Sequence, residues 1–390
     1  MKKVLIYVVL LATVLLSLIS TSCTQKVVYK PQDEQSSKTK VLDAQILSAV
    51  EFRGADLVFS QESEFAKTLR IGDILAAGVS EKTPYGFLAK VASIRRENGK
   101  IIVETENAKL EEAIKDGEVK LDVILTEKDI KSIELAPGVK LLNDEAPLWI
   151  TNPISFNRGY NYIVDLDKNP ATTYDQVQVS GNIAISSRLK FEASFGSFKV
   201  KKVKFEFVDV MQSGSLRVST SPNFSYNKQI PLFRYPVATV NYAPVTMTVF
   251  GIPLVITPRI TIYFSLNGGL SANLTAQIQQ TLTGNVGLSY ESGSVKRING
   301  LKFNILPVEY QGSANAYVNA EVPISGSVVL NGIVSAYCDI VGGLGFVIDY
   351  PYWSLTGRAY AVAGLDVSLI DYSKEFKLLD WSQVLKSGRF

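Results

Sequence analysis

Residues 202–208 alternate strictly between charged and apolar: Lys202, Lys204 and Glu206 against Val203, Phe205 and Phe207. A period of two puts the two sets on opposite faces of extended backbone, which predicts a β-strand with one wet face and one buried face. Related patterns continue to about Tyr372. Residues 245–250, 254–257 and 259–266 read as separate strands, divided by Gly251-Ile252-Pro253 and by Pro258, because proline lacks the N–H that a central ladder uses. Residues 265–290 and 314–340 alternate apolar side chains with small polar ones: Leu270, Leu274 and Ile278, then Val322, Ile324, Val328 and Leu330. Strands of this kind pack face to face in a sandwich or form one long curved sheet, and their glycines permit bends or bulges. The expected fold class is mainly β, with a large antiparallel domain over residues 151–390.

Residues 41–138 predict a smaller β-rich domain with one or two short helices, joined to the large one by a linker at 139–150. Strands are expected at 57–59, 74–77, 87–94 and 101–105, with Asn98-Gly99 as a hairpin turn. Leu110, Ala113 and Ile114 share a face of a helix expected at 108–115, stopped by Gly117, and Thr126 caps a second at 126–130. A transmembrane barrel is argued against by the end of the chain. Counting back from Phe390, only Val384 among Gly388, Lys386, Val384 and Ser382 is apolar where a barrel strand would face lipid.

The N-terminus carries a different signal. Lys2 and Lys3 precede an apolar run at 4–19, broken only by Thr13 and Ser17, and Ser20, Thr21 and Ser22 lead into Cys23. This predicts a signal peptide at 1–22 and a lipid anchor on the thiol of Cys23, with Ser20 where the common lipoprotein pattern has leucine. The apolar run is short for a membrane span, which needs about 20 residues. Several acyl chains hold a protein stably on a membrane. Residues 23–40, polar and containing Pro31, read as a tether.

The chain contains no histidine. That removes Ser-His-Asp and Cys-His catalysis and histidine-ligated metals. Charged residues make up only 20%, with a formal charge of +3 that falls near +1 once Lys2 and Lys3 leave with the leader. No basic stripe of the kind that phosphate backbones require is present, so no nucleic-acid partner is expected. With Cys23 lipidated, Cys338 has no disulfide partner, and its apolar surroundings predict a buried structural thiol.

Several constellations resemble functional sites. Asp165, Asp167 and Asn169 alternate like the ligands of a calcium loop, and Asp175 is near in sequence. However, Pro170 stands where the loop wants glycine and Gln176 where it wants a bidentate carboxylate. A solvated hairpin loop is the expectation there, with no metal or other cofactor. Tyr350, Tyr352 and Trp353 form an aromatic cluster that either stacks on a sugar ring or fills the core at a strand start. Asp339 and Asp349, flanked by apolar residues, are the candidate carboxylates for histidine-free glycan hydrolysis. Gly342-Gly343-Leu344-Gly345 lacks the Lys-Ser/Thr of a phosphate loop and predicts a bend in a sheet.

Leu69-Arg70-Ile71-Gly72-Asp73-Ile74-Leu75, Gly78, Pro84 and Lys90-Val91-Ala92-Ser93-Ile94 come in an order that resembles a widespread uncharacterised family of secreted or surface β-rich proteins of bacteria and archaea. Val103-Glu104-Thr105-Glu106, the segment 108–114 and Phe250-Gly251-Ile252-Pro253 extend the likeness over residues 50–300. The resemblance implies an extracytoplasmic β protein and assigns no site residue. The expected function is a non-enzymatic, lipid-anchored protein of the cell envelope that binds an envelope polymer or surface protein, or acts structurally. The alternatives are a carrier with a lipid in a β cavity, and a carboxylate-dependent glycan hydrolase.

Overall fold

The computed structural model describes residues 38–142, 150, 153–169, 171–224, 229–269, 274–312, 316–365 and 374–389. It is mainly β. Among the described residues no helix is long and apolar enough to cross a membrane. Three sheets share the chain.

The first holds β1 (Thr39–Val41), β2 (Glu51–Arg53), β3 (Asp56–Ser60), β4 (Ile74–Ala77), β5 (Phe87–Glu97) and β6 (Lys100–Asn107), in the order β1-β4-β5-β6-β3-β2. Helices α1 (Ala44–Ala49) and α2 (Glu64–Lys67) accompany it. Each has an N-cap side chain, Asp43 and Ser63, accepting a bond from the first turn. Alternation divides this sheet's residues between two cores. Leu57, Phe59, Leu75, Val91, Ile101 and Val103 pack together with Leu42 and Leu47, whereas Ile74, Ala76 and Leu88 join the core of the large domain. A third helix, α3 (Leu110–Ala113), adds Leu110 and Ala113 to that junction. It is shorter than the expected 108–115, and Gly117 opens a strand.

The other two sheets face each other across one continuous hydrophobic core. The first runs β9 (Lys140–Leu142), β10 (Phe156–Asp165), β11 (Gln176–Phe195), β12 (Val200–Thr220), β16 (Leu274–Glu291) and β17 (Ser294–Asn299). β7 (Gly117–Leu125) pairs with β11, and β18 (Lys302–Gly312) pairs with β16. The second runs β8 (Ile130–Leu135), β13 (Gln229–Tyr242), β15 (Ile252–Gly269), β19 (Ala316–Leu330), β20 (Ile333–Asp349), β21 (Tyr352–Leu365) and β22 (Lys374–Arg389), with β14 (Val245–Val249) on β15. The small sheet therefore ends at Asn107, and β7, β8 and β9 belong to the sandwich although they lie in the stretch expected to be small domain and linker. The turn between β7 and β8 is a 3-10 helix, Glu127–Asp129, held by Asp129, which accepts from both the N–H and the hydroxyl of Thr126.

β12 follows the alternation that predicted it. Val203, Phe205 and Phe207 point inward, and each fully buried side chain of this size contributes about 1.5–3 kcal/mol. Glu206, expected on the wet face, is itself buried and is neutralised by Lys204 at 2.6 Å. Proline placement departs from expectation. β15 passes through Pro258 without a break, because β14 ends opposite Ile256 and β13 begins opposite Arg259. The proline sits where one neighbour has stopped and the next has not started, so no ladder bond is forfeited on that side.

Among the described residues four hairpins turn on a residue followed by glycine, both at positive φ: Asn98-Gly99, Phe250-Gly251, Ser292-Gly293 and Asn331-Gly332. That is the type I′ geometry matching strand twist. At the far edge of the sandwich, Arg297 and Asn299 of β17 donate to the carbonyls of Lys377 (3.2 Å) and Leu378 (2.8 Å) of β22. These bonds stitch the two sheets where no ladder joins them.

Candidate functional site

Cys23 lies outside the described residues. Cys338 is buried, and its thiol is pushed far up by burial and, secondarily, by the charge of Asp339. A thiol in that state is no nucleophile. β20 continues through Gly342, Gly343 and Gly345 with its pairing to both neighbours uninterrupted and without a bulge. They make room on both faces. A Cβ at Gly342 would strike the Gln280 amide inside the sandwich, and one at Gly343 the side chain of Glu321 outside it.

Asp339 and Asp349 both lie on β20, ten residues apart, about 33 Å along an extended strand. That is several times the separation two glycosidase carboxylates require. Asp339 is bound to Arg234 at 2.9 Å, and Asp349 is exposed at the strand end. Tyr350 and Tyr352 are 71% and 60% exposed, so neither fills the core. Only Trp353 packs inward, with its ring centroid 6.2 Å from that of Phe346.

Glu321 is half-buried on the outer face of the second sheet. Burial raises its carboxyl above the ordinary range, and the Tyr360 hydroxyl, Arg358 and Arg234 offset this in part. The unfolded chain therefore releases the Glu321 proton at a lower pH than the native one. Stability falls as pH rises from the ordinary glutamate value, near 4.5, through the raised one. Glu321→Gln is expected to be more stable than the parent at pH 7, with the gap closing below about pH 4.5. Denaturant midpoints at the two pH values measure it.

The feature best suited to binding is one that sequence did not single out. On the face of the first large sheet turned away from the core, cross-strand register aligns Asn182 of β11, Ser215 of β12, Gln279 of β16 and Leu306 of β18 in one row. The adjacent row contains Ser213, Thr281 and Asn304. Together they line a groove of about 260 Å³. In the next row Arg217, opposite the lining residue Gln277, donates to it at 3.2 Å and is ion-paired with Glu309.

Ser215 donates to Asn182 Oδ1 at 2.8 Å and accepts the Asn182 N–H at 3.2 Å, which fixes that wall. Among the described residues, the side chains of Gln279, Thr281 and Asn304 make no hydrogen bond within the protein. They present donors and acceptors together, without charge. Leu306, about half exposed, gives the groove an apolar edge. Each lining residue is ordinary in its own strand. Only the pairing of four strands, spread over more than 120 residues of chain, makes them a site.

The hairpin loop between β10 and β11 is largely exposed, as expected, but it also gathers three carboxylates, of which Asp175 is buried. Carboxylate oxygens of Asp165, Asp167 and Asp175 lie within 4.8 Å of one another. Burial, then Asp167 and Asp175, raises the Asp165 carboxyl. Burial acts in the same sense on Asp167 but is outweighed there by bonds from the Asn169 N–H and the Thr172 and Tyr174 hydroxyls, which lower it. Asn169 turns its side-chain oxygen to the Ala171 N–H at 3.2 Å.

No family model, no curated protein and no solved structure matches this chain.

Proposed function

We propose that this chain is a lipid-anchored protein of the bacterial envelope, held through Cys23 on the extracytoplasmic side, whose large sandwich binds a neutral, hydroxyl-rich polymer of the glycan class. The observation that carries this reading is the groove: three uncharged side chains, Gln279, Thr281 and Asn304, stand without partners among the described residues on a sheet, beside the apolar edge of Leu306. A sugar offers hydroxyls that both donate and accept, and an apolar ring face, so amides and an aliphatic ledge complement it. Strands hold such groups more rigidly than loops do, which reduces the ordering cost of binding.

The cavity between the sheets, lined by Ile185, Phe207, Ile324 and Ile340 among others, has about 30 Å³. That is the space of roughly one water molecule, not of an acyl chain, and it favours a binder over a lipid carrier. The β20 separation of Asp339 and Asp349 likewise favours binding over hydrolysis by that pair.

Calorimetry with soluble glycans and retention on insoluble ones, peptidoglycan included, test the proposal. Two lost hydrogen bonds of about 0.5–1.5 kcal/mol each amount to roughly tenfold in affinity. Gln279→Ala combined with Asn304→Ala is therefore expected to weaken binding about tenfold with an unchanged melting temperature, while Tyr352→Ala binds like the parent. Loss in Tyr352→Ala with retention in the groove variant would move the site to the exposed tyrosines, and a parent protein that binds no glycan would end the reading.

A further inference from the structure

We propose that the loop closing β10 onto β11 is a calcium site formed by Asp165, Asp167 and Asp175. Three oxygens within 4.8 Å of one another have the spacing of ligands on a single ion. Two oxygens bound at about 2.3–2.6 Å to one Ca²⁺ are at most about 5 Å apart, twice the bond length. The loop's own hydrogen bonds, from the Asp167 N–H to Asp175 and from Asn169 and Thr172 to Asp167, bring the three together but supply no positive charge. No ion pair to any of the three is formed among the described residues, and the arginines of the neighbouring strands, Arg158 with Glu127 and Arg217 with Glu309, engage other carboxylates.

The decisive group is Asp175. It is 0% exposed, and although its Oδ2 accepts the Asp167 N–H at 2.7 Å, its Oδ1 is buried with no hydrogen-bond partner. Asp165 Oδ1 is in the same condition. A buried carboxylate oxygen without a donor is costly, and two of them beside a third carboxylate add mutual repulsion. A proton shared between Asp165 and Asp167 would quiet that pair and leave Asp175 as it is. A divalent cation satisfies all three.

The donor set is oxygen only, without histidine or thiolate, which selects a hard ion over zinc or copper. Ca²⁺ suits it better than Mg²⁺. Mg²⁺ demands a near-ideal octahedron and sheds water reluctantly, whereas Ca²⁺ accepts six to eight ligands in irregular geometry, so that three carboxylates leave positions for water. One ligand comes from the end of β10, one from the loop and one from the chain entering β11, so the ion would clamp the hairpin's open end. Extracellular modules bind Ca²⁺ with Kd of roughly 10⁻⁴–10⁻³ M, a range matched to an extracytoplasmic site.

Terbium supplies the test, because Tyr174 donates its hydroxyl to Asp167 at 3.2 Å and so places an excitable ring beside the site. In the purified full chain, excitation of tyrosine is expected to give saturable Tb³⁺ luminescence that millimolar Ca²⁺ displaces. Saturating Ca²⁺ should raise the melting temperature by about 5 °C. Asp175→Asn should weaken Tb³⁺ binding at least tenfold and abolish the Ca²⁺ shift, yet melt higher than the parent in chelator, since the repulsion is relieved. Asp165→Asn serves as a second variant with the same expected signature should the first fail to fold. Absence of displaceable luminescence and of a Ca²⁺ shift in the parent overturns the proposal. So do variants that keep both, because the ion would then sit elsewhere.

Discussion

Phe205→Ala is expected to lower the stability of the sandwich by about 4 kcal/mol, the largest effect of any single truncation considered. The side chain is fully buried on β12, with Phe191 of β11 directly opposite on one side and Leu288 of β16 on the other. Its ring meets that of Phe207 edge to face, at 5.3 Å and 77°. Phe207 reaches across to the second sheet, where a Cβ on Gly326 would strike its ring.

Removing a buried phenylalanine costs about 3–5 kcal/mol, including the loss of an aromatic pair, unless neighbours collapse into the void. Here they cannot readily do so. The flanking strands are locked by ladders on both sides, and the small cavity beside Phe207 already shows that this layer does not close completely. Urea unfolding monitored by tryptophan emission measures the change. Phe205→Leu, which retains most of the volume, should cost less than half as much. A loss below about 1 kcal/mol for Phe205→Ala would mean that the two sheets do not share a close-packed core at this point.

Asn331→Ala should cost about 3 kcal/mol for a different reason. Asn331 occupies the tight turn between β19 and β20 at φ 45°, and it is buried. Its Oδ1 accepts the buried N–H of Val255 at 3.0 Å. Its Nδ2 donates to Pro253 at 3.1 Å and to Phe87, in the small sheet, at 3.3 Å. One side chain thus ties a hairpin, its neighbouring strand and the other domain.

Alanine leaves the Val255 amide unsatisfied, at about 1–3 kcal/mol, and also strains the left-handed backbone by about 1 kcal/mol. Asn331→Gly separates these contributions, since glycine accepts the backbone angle but restores no bond. Alanine should be the worse of the two by about 1 kcal/mol. Hydrogen exchange at β5 is expected to accelerate in both variants, because the small sheet loses a direct attachment. If only the sandwich responds, the contact to Phe87 contributes nothing to docking.

The sequence was legible wherever one strand sufficed. β12 could be read from residues 202–208 alone, and Asn98-Gly99 announced its hairpin. The same two-residue reasoning, applied to every X-Gly between alternating runs, would have found Ser292-Gly293 and Asn331-Gly332. It would have missed Phe250-Gly251, where a bulky residue holds the left-handed position. Pro258 was misread because the penalty on proline depends on where neighbouring strands stop, which its own segment does not record.

The site was less legible for a related reason. Asp165 and Asp167 were visible as a spacing, but Asp175 joins them only through the register that sets Asp165 opposite Gln176. The groove depends on four strands meeting in register. No local pattern distinguishes Gln279 or Asn304 from any polar residue on a wet face.

The bonds from Arg297 and Asn299 to β22 have a consequence for how crowded copies of the chain would coexist. The free edge of a terminal strand is a template on which a stranger's strand can add, and proteins blunt such edges with charge or cover. β22 has two consecutive carbonyls, those of Lys377 and Leu378, already occupied by donors from the opposite sheet. An incoming strand that needed them would have to displace two internal bonds. The stitch that closes the sandwich is thereby also a guard against edge-to-edge recruitment between copies of the chain.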